Sequence, residues 1–363
     1  MELLEATLAL ARAEGFHARS LHDPDLLRDP PQLVGRSTAE LISLGVRRAA
    51  AAWLSDPDAS VLAADRLWLE EQRLRMIAWG SLEYPGRLAA IADPPAVLFV
   101  RGDAANLLRP QLAIIGSRDP TPAGCRIAAD FAAALAGVGL VISSGLARGI
   151  DAAAHEGALR RGRTLAVVGT GLDRVYPADN QSLHDRIVAA GGAIVSEFAR
   201  GKPPLAPHFP QRNRVISAMS LGVLIVEAAS RSGTLITARL AGDQGREVYA
   251  IPGSILNARA AGCHELIRQG AKLVESPEEI LADIGLPFEK QDVAWETGAA
   301  PGARALDKDF EILLDGLGFD LVGVDELIAR TGLCSQSLAQ MLLTLELAGT
   351  VALHSGGRYQ RVR

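Results

Sequence analysis

Apolar and polar positions change their spacing along the chain, and the pattern predicts three units. Residues 1–80 show short helical patterns broken by Asp-Pro pairs, with the longest predicted helix at 61–78. Residues 81–286 alternate short, continuously apolar runs with helical stretches. This βαβ rhythm predicts an α/β fold built on an extended Rossmann-like, doubly wound parallel sheet. The predicted strands are 112–115, 140–143, 165–168, 193–196, 223–227 and 247–251.

The last part of the chain has the pattern of a small separate domain. Residues 287–304 combine glycine, proline and scattered charge, and we interpret them as a linker. Residues 305–363 then show three helical patterns and two short strands around Ser355-Gly356-Gly357, a hairpin turn signal. The helices are predicted at 309–317, 324–331 and 335–348, and the strands at 350–353 and 359–362. Together they predict a C-terminal winged-helix domain.

The third helix of this domain carries no arginine or lysine, although a DNA-reading recognition helix usually presents them. Three of the domain's five basic residues, Arg358, Arg361 and Arg363, fall in the predicted wing and tail. We therefore expect this domain to contact a protein more than to read a DNA sequence. If it does contact nucleic acid, the wing is the expected contact.

Charge is distributed unevenly along the chain. The net charge is −5, yet residues 111–215 hold twelve Arg and Lys against eight Asp and Glu, which leaves −9 for the remainder. A positive zone inside an acidic protein indicates an anionic partner. No apolar run approaches the roughly 20 residues that span a bilayer, and the N-terminus lacks the basic start of a secretory signal. We expect a cytoplasmic protein without membrane contact.

Three cysteines, Cys125, Cys263 and Cys334, lie far apart and fit no metal-ligand spacing. The seven histidines are scattered as well. The sequence therefore predicts no metal site, and reduced thiols in a reducing compartment.

Four glycine-rich loops follow predicted strands, where the ligands of open parallel sheets bind. Glycine lets backbone N–H groups approach an anion, and a following helix N-terminus favours negative charge. One such loop could be only a tight turn, but four at equivalent positions favour phosphate binding. The loops contain Gly116-Ser117-Arg118, Ser144-Gly145 with Arg148-Gly149, Gly169-Thr170-Gly171, and Ser232-Gly233-Thr234.

No complete nucleotide-cofactor motif is present. In the run that starts at Gly169, Arg174 stands where a dinucleotide fingerprint needs its third glycine, and no Walker A lysine follows a glycine-rich loop. The sequence therefore predicts no bound cofactor, neither a dinucleotide nor ATP.

An aromatic and basic cluster, His208 to Arg214, precedes an apolar segment. Phe209 could stack on a base or pack in the core. Arg212 and Arg214 are two positions apart, so on a helix they diverge by about 200° and face different partners. One is placed to contact phosphate, while the other contacts an acidic neighbour or a second subunit. Surface salt bridges are the alternative for both arginines.

Three acidic or imidazole side chains near these loops suggest chemistry and need a structural alternative. Asp151 and His155 lie at i and i+4 on one predicted helix and could form a carboxylate–imidazole pair for acid–base catalysis. An aspartate at a helix N-terminus more often caps the helix and holds a loop, so we favour structural roles. Glu227, at the end of an apolar strand, is expected to orient the Ser232–Thr234 loop.

Many short motifs occur here in a fixed order, and together they resemble the DNA-processing protein family called DprA or Smf. They include Tyr84-Pro85, Gly116-Ser117-Arg118, Ser144-Gly145-Leu146-Ala147, Tyr176-Pro177, Phe209-Pro210, Arg212-Asn213-Arg214, the run from Ser232 to Ala238, and Pro252-Gly253. The resemblance implies a Rossmann domain that binds single-stranded DNA, preceded by a sterile-alpha-motif-like helical domain and followed by a winged helix.

The resemblance also implies a function. Family members protect incoming DNA and load the recombinase RecA during natural transformation, usually as homodimers, and no enzyme activity is implied. Many relatives carry a lysine shortly before the Phe-Pro pair, where this chain has Leu205-Ala206-Pro207, and Lys202 is the nearest substitute. The predicted DNA-binding residues are Gly116, Ser117, Arg118, Ser144, Gly145, Arg148, Gly149, Lys202, Phe209, Arg212, Asn213, Arg214, Ser232, Gly233 and Thr234.

Two other functions remain open at this point. A nucleotide-directed hydrolase resembling the phosphoribohydrolases would use the Ser232–Thr234 loop and Glu227 on a nucleoside monophosphate, but this chain carries only part of that motif. A structural adaptor would bind no DNA at low salt.

Overall fold

The computed structural model describes residues 2–286 and 308–362, so the predicted linker at 287–304 lies outside the described residues. The N-terminal unit has four helices and three 3₁₀ turns, and the turns fall around the Asp-Pro pairs at Asp23 and Asp29. Its helices are α1 Leu3–Arg12, α2 Thr38–Ser43, α3 Arg48–Ser55 and α4 Ala59–Glu71. Ser37 and Glu40 form a capping box that begins α2, and Asp58 caps α4.

The helix predicted at 61–78 is wrong at its C-terminal end. Helix α4 ends at Glu71, and strand β1, Arg75–Ala78, follows it. Arg73 adopts a positive φ of 51°, which ends the helix, and β1 then pairs with a strand 22 residues further on, Ile77 opposite Leu98. That pairing is a tertiary contact, which the helical spacing of this segment does not report.

The central domain is a nine-stranded sheet with helices on both faces. After β1 its elements are α5 Gly86–Ala89, β2 Val97–Gly102, β3 Gln111–Ile115, α6 Pro122–Gly137, β4 Val141–Ser144, α7 Ile150–Ala158, β5 Thr164–Val167, α8 Gln181–Ala189, β6 Ala193–Ser196, α9 His208–Met219, β7 Gly222–Ile225, α10 Gly233–Asp243, β8 Glu247–Ala250, α11 Ala261–Arg268, β9 Lys272–Leu273 and α12 Pro277–Asp283. The six predicted strands form β3 to β8, which confirms the predicted fold class.

The strand order is β1-β2-β6-β5-β4-β3-β7-β8-β9, and every pairing from β6 to β9 is parallel. The chain therefore runs outward from β3 to β6 on one side, and returns to start β7 on the other side. Loops that follow β3 and β7 turn apart, so a crevice opens between them at the carboxyl edge of the sheet. The antiparallel strands β1 and β2 extend the edge beyond β6.

Both faces of this sheet are covered, which explains why its strands are apolar throughout. All five residues of β3 are buried. Helices α6 and α7 cover one face, where Phe131 packs with Ile114, while α9 and α10 cover the other, where Ile216 packs with Ile225. Truncating a buried aromatic such as Phe131 costs about 3–5 kcal/mol.

The C-terminal domain is a winged helix, as predicted. Its elements are α13 Lys308–Leu317, β10 Val322–Gly323, α14 Val324–Thr331, α15 Ser335–Leu347, β11 Val351–His354 and β12 Arg358–Arg361. The strands form a small sheet in the order β10-β12-β11. Gly356 and Gly357 both have positive φ, at 81° and 69°, as a tight hairpin turn requires.

Candidate nucleic-acid interface

Three of the four predicted loops touch one another at the crevice between β3 and β7. The amide of Ser117 donates to the carbonyl of Glu227 at 2.7 Å, and the amide of Ile150 donates to the carbonyl of Ser117 at 3.1 Å. The hydroxyl of Thr234 donates to the carbonyl of Gly116 at 3.1 Å. The loops after β3, β4 and β7 thus form one continuous surface, which the sequence pattern predicted only by analogy of position.

Gly149 shows why glycine is needed where two of these loops meet. It has a φ of +79°, and a Cβ there would lie 2.4 Å from the carbonyl oxygen of Ser117 and 2.9 Å from the carbonyl carbon of Arg118. The two backbones therefore pack directly against each other. Any larger residue at Gly149 would move the loop that carries Arg118.

Phe209 connects the fourth loop to this surface. It lies in the first turn of α9, and a Cβ on Gly169 would come within 3.3 Å of its ring. The guanidinium carbon of Arg118 lies 5.5 Å from the ring centroid, within cation–π range. A cation that can bind phosphate and an aromatic ring that can stack a base therefore stand side by side.

Arg118 is exposed, and no carboxylate of residues 2–286 or 308–362 forms an ion pair with it. Its neighbour Asp119 is engaged by Arg259 instead. Arg231, in the loop after β7, is also exposed. The sequence-based set of contacts did not include Arg231, although it directly precedes Ser232, and this position was its only signal.

Arg212 differs from the predicted surface contact, because its side chain is only 5% exposed. Its guanidinium Nη1 donates to the carbonyl of Gly145 at 2.6 Å and also to the carbonyl of Val167. Desolvation lowers the pKa of Arg212 to about 10, and the charge of Asp151 opposes that shift. The N-terminal half of α9 packs over the ends of β4 and β5, so position 212 faces the sheet.

Asp151 and His155 do not act on each other. The carboxylate of Asp151 accepts from the amides of Gly145 at 3.1 Å and Ala147 at 3.4 Å, and burial raises its pKa. The imidazole of His155 bonds to the hydroxyl of Thr164 at 2.6 Å, and burial lowers its pKa to about 3. Asp151 therefore holds the loop after β4, while His155 is a neutral group sealed beneath it.

Glu227 holds a different loop from the predicted one. Its carboxylate accepts from the amide of Thr121 at 2.9 Å and from the Thr121 hydroxyl at 2.6 Å. Thr121 in turn caps α6 through the amide of Gly124. The Ser232–Thr234 loop organises itself, since the hydroxyl of Ser232 accepts from the amide of Thr234 at 3.1 Å. The β3-to-α6 connection, not the predicted loop, is the one that Glu227 fixes.

The remaining predicted cations are engaged around the crevice. Arg148 pairs with Asp179 at the surface. Arg214, 13% exposed at its side chain, pairs with Glu197 at 2.7 Å, so it faces an acidic neighbour, as one of the two arginines was expected to do. Asn213, between the two arginines, accepts from Nε of Arg212 at 3.1 Å.

Lys202, the predicted substitute for the family lysine, pairs with Glu14 of the N-terminal unit. It lies beyond the loop after β5, since the amide of Gly171 donates to its carbonyl at 3.1 Å. Lys202 is thus placed at the border between the N-terminal unit and the crevice, with its charge already compensated.

Tyr176 was matched to a motif but not predicted to contact a ligand. Its ring centroid lies 5.6 Å from that of Phe209, and 46% of the residue is exposed. The segment after β5 folds back to bring it there, and residue spacing carries no signal for such a return.

Two searches of the described residues found nothing. Within 2–286 and 308–362, no group of three or more His, Cys, Asp and Glu could hold a metal ion. No helix in the same ranges has the length and apolar character to cross a bilayer.

Comparison with known proteins agrees with the sequence motifs and the fold. The family model for DNA recombination-mediator protein A matches residues 75–285, and the model for the DprA winged helix domain matches 297–357. Protein Smf of Escherichia coli is 41% identical over 351 residues, covering 95% of this chain and 93% of its own length. DNA processing protein DprA of Streptococcus pneumoniae is 46% identical over 201 residues, covering 55% and 71%.

Solved structures give the same result. The X-ray structure of DNA processing protein A from Streptococcus pneumoniae superposes with a TM-score of 0.68 at 34% identity, covering 80% of this chain and all of that chain. DNA processing protein A from Helicobacter pylori, whose structure was described for its single-stranded DNA binding mode, has a TM-score of 0.53 at 30% identity, covering 58% and 95%. Matches of this extent show that the chain belongs to the DNA recombination-mediator protein A family, DprA.

Proposed function

We propose that this protein binds single-stranded DNA in the crevice between the loops after β3 and β7. The observation that carries the proposal is the pair formed by exposed Arg118 and Phe209, because it offers a phosphate and a neighbouring base their preferred partners at one place. Gly116, Gly149 and the Ser232–Thr234 loop supply close backbone around that pair. The single-stranded DNA binding mode described for the Helicobacter pylori relative supports it.

Arg212, Asn213 and Arg214 enter this proposal as positioning residues and not as DNA contacts. Arg212 is buried between two carbonyl groups, and Arg214 is paired with Glu197. Ser144 is likewise turned inward, because its hydroxyl donates to the carbonyl of Ile114 at 2.7 Å. Arg148 and Lys202 are surface cations at the rim, and each would exchange a carboxylate for a phosphate on binding.

The cellular role that we propose rests on family membership. The protein would protect incoming single strands in the cytoplasm and load RecA on them, acting as a homodimer. Two linked crevices would raise the apparent affinity for a long strand, because the second contact becomes intramolecular.

We further propose that the protein acts by binding and not by catalysis. The two carboxylates nearest the loops, Asp151 and Glu227, have oxygens taken up by backbone amides. The pKa of His155 is about 3, and the ring is fully buried, so it offers no exchangeable proton to a ligand at neutral pH. Release of a base from AMP by the purified protein would favour the nucleotide-directed hydrolase instead.

The test is fluorescence anisotropy with labelled oligo-dT and a matched duplex over a salt series. We expect preference for the single strand and an affinity that falls steeply with salt. Arg118→Ala should weaken binding and reduce the slope of log affinity against log salt by about 1.

Arg109 provides a matched control for this test. It is an exposed arginine just before β3, whereas Arg118 follows the same strand, so the two lie at opposite edges of the sheet. Arg109→Ala should bind like the wild type. Equal losses for both variants, or no binding at low salt, would contradict the proposed site, and the latter result would favour an adaptor.

A further inference from the structure

Tyr176 extends the aromatic surface of the crevice. Its ring lies next to Phe209, with the two planes at 41°, so the rings are tilted and do not cover each other. Arg118 lies over the same Phe209 ring. With 46% of Tyr176 exposed, ring surface stays open to solvent. A tyrosine that served only the core would have this surface covered.

The segment that carries Tyr176 is tied to the loop after β4. The side-chain amide of Asn180 donates to the carbonyl of Leu146 at 2.9 Å and to that of Ala147 at 3.2 Å. Asp179, in the same short turn, pairs with Arg148 of that loop. These contacts hold Tyr176 in place before any ligand arrives, so little side-chain entropy is lost when a base stacks on it.

We propose that Tyr176 is a second base-stacking residue, so that neighbouring bases of one unpaired strand pack on Phe209 and Tyr176 while Arg118 contacts the phosphate backbone. The inference rests on the proposed function and adds a contact to the same site. Every base has an aromatic face, so such a platform tolerates any sequence, but it excludes duplex DNA because paired bases are already stacked.

A stacking role differs from a phosphate contact in its salt dependence. Tyr176 carries no charge at neutral pH, so its removal should lower affinity by the same factor at every salt concentration. Removal of Arg118 should instead flatten the salt dependence. Base–aromatic stacks measured by alanine substitution correspond to roughly a 5- to 150-fold loss of affinity, which sets the range expected for Tyr176→Ala.

The experiment compares the wild type, Tyr176→Ala and Tyr176→Phe on labelled oligo-dT and on an abasic oligomer of equal length. Tyr176→Phe keeps the ring and should bind oligo-dT like the wild type. Tyr176→Ala should lose roughly 5- to 150-fold on oligo-dT at every salt concentration, and much less on the abasic oligomer, which has no base to stack.

The outcomes separate this inference from the proposed function. Failure of the wild type to bind oligo-dT contradicts the proposed function itself. Wild-type binding with an unchanged Tyr176→Ala, or an equal loss on the abasic oligomer, overturns the stacking role alone. Ultraviolet crosslinking of the wild type to bromodeoxyuridine oligomers gives a reading that needs no variant: an adduct on Tyr176 supports the role, and adducts confined to other peptides overturn it.

Discussion

Arg212 carries a charge to a place that is almost closed to water. Its guanidinium bonds to carbonyls at the ends of β4 and β5, and its own helix, α9, carries Phe209. Asp151, on α7, binds the amide of Gly145 in the same loop. Burial lowers the pKa of Arg212 and raises that of Asp151, so each charge is costly there without the other. The two residues fix the position of Phe209 relative to the loops.

Replacing Arg212 by alanine should therefore destabilise the protein. We expect the free energy of unfolding to fall by about 3–5 kcal/mol, because the charge of Asp151 is left buried without its partner. Adding Asp151→Asn should recover part of that loss. Urea denaturation measures both effects, and Arg118→Ala, at the surface, should change the free energy of unfolding by less than about 0.5 kcal/mol. Wild-type stability of Arg212→Ala together with lost DNA binding would restore Arg212 as a direct contact.

His155 gives the native state a defined dependence on pH. Its pKa falls from an ordinary value of 6.5 to about 3 because the ring is buried, with a smaller effect from Arg212. The unfolded chain thus takes up a proton below pH 6.5 that the native protein refuses until about pH 3, so stability falls as pH falls through this window. Each pH unit should remove up to about 1.4 kcal/mol through this one group.

The measurement is urea denaturation of the wild type and His155→Gln at several pH values between 6.5 and 4. Glutamine can still bond to Thr164 and does not titrate, so the variant should show a shallower loss of stability toward acid pH. Parallel pH profiles for the two proteins would mean that His155 is not the group that titrates.

At this scale the sequence predicted the chemical types better than the directions of side chains. Arg118 and Phe209 follow from their motifs, and the structure sets them together. Spacing alone shows that Arg212 and Arg214 diverge, but which of them faces the sheet depends on how α9 lies across β4 and β5. Tyr176 reaches Phe209 only through a returning loop, which no local pattern encodes.

At the scale of elements, the strands that the sequence predicted share one property: both of their faces are covered. Strands β3 to β8 lie inside the sheet and are continuously apolar, so local composition finds them. The short edge strand β9 is exposed at both residues, and the first residue of the other edge strand, β1, is exposed too. Their signal is weak because only pairing with a neighbour makes them strands.

The loops between these elements were predictable as positions but not as contacts. The carboxyl edge of a parallel sheet collects them whatever their sequence. The actual joints are backbone approaches, such as Gly149 against Ser117, and long-range bonds, such as Thr121 with Glu227. Glu227 was expected to hold the nearer loop in sequence, yet its strand β7 lies beside β3 in the sheet, which puts Thr121 within reach.

On the scale of the whole molecule, both flanking units are docked on the central domain. The N-terminal unit contacts the segment after β6, where Arg200 lies over the Trp68 ring at 5.6 Å and donates to the carbonyl of Ala64 at 3.2 Å. The winged helix contacts α6 through its last strand, β12. A cleft of about 920 Å³ lies between α6 and this domain, and Glu227 and Phe319 are among its lining residues.

The contact between β12 and α6 is a polar seam around Gln360. This side chain is 3% exposed; it accepts from the amide of Ala123 at 3.4 Å and donates to the carbonyl of Phe319 at 2.7 Å. Arg126 adds a bond to the carbonyl of Val362. The helix that would read DNA, α15, presents Leu343 and Leu347 to solvent instead, at 57% and 82% exposure, which is consistent with a domain that contacts protein.

Gln360→Ala combined with Arg126→Ala should release this seam and leave the central sheet intact. We expect faster hydrogen exchange in peptides that cover the start of α6 and strand β12, because the amide of Ala123 loses its acceptor and the domain separates more often. Gln340, an exposed glutamine on α15, supplies the control variant Gln340→Ala, which should exchange like the wild type. If the double variant exchanges at the wild-type rate in both peptides, the seam does not hold the two domains together in solution, and the winged helix is free to seek its partner without first leaving α6.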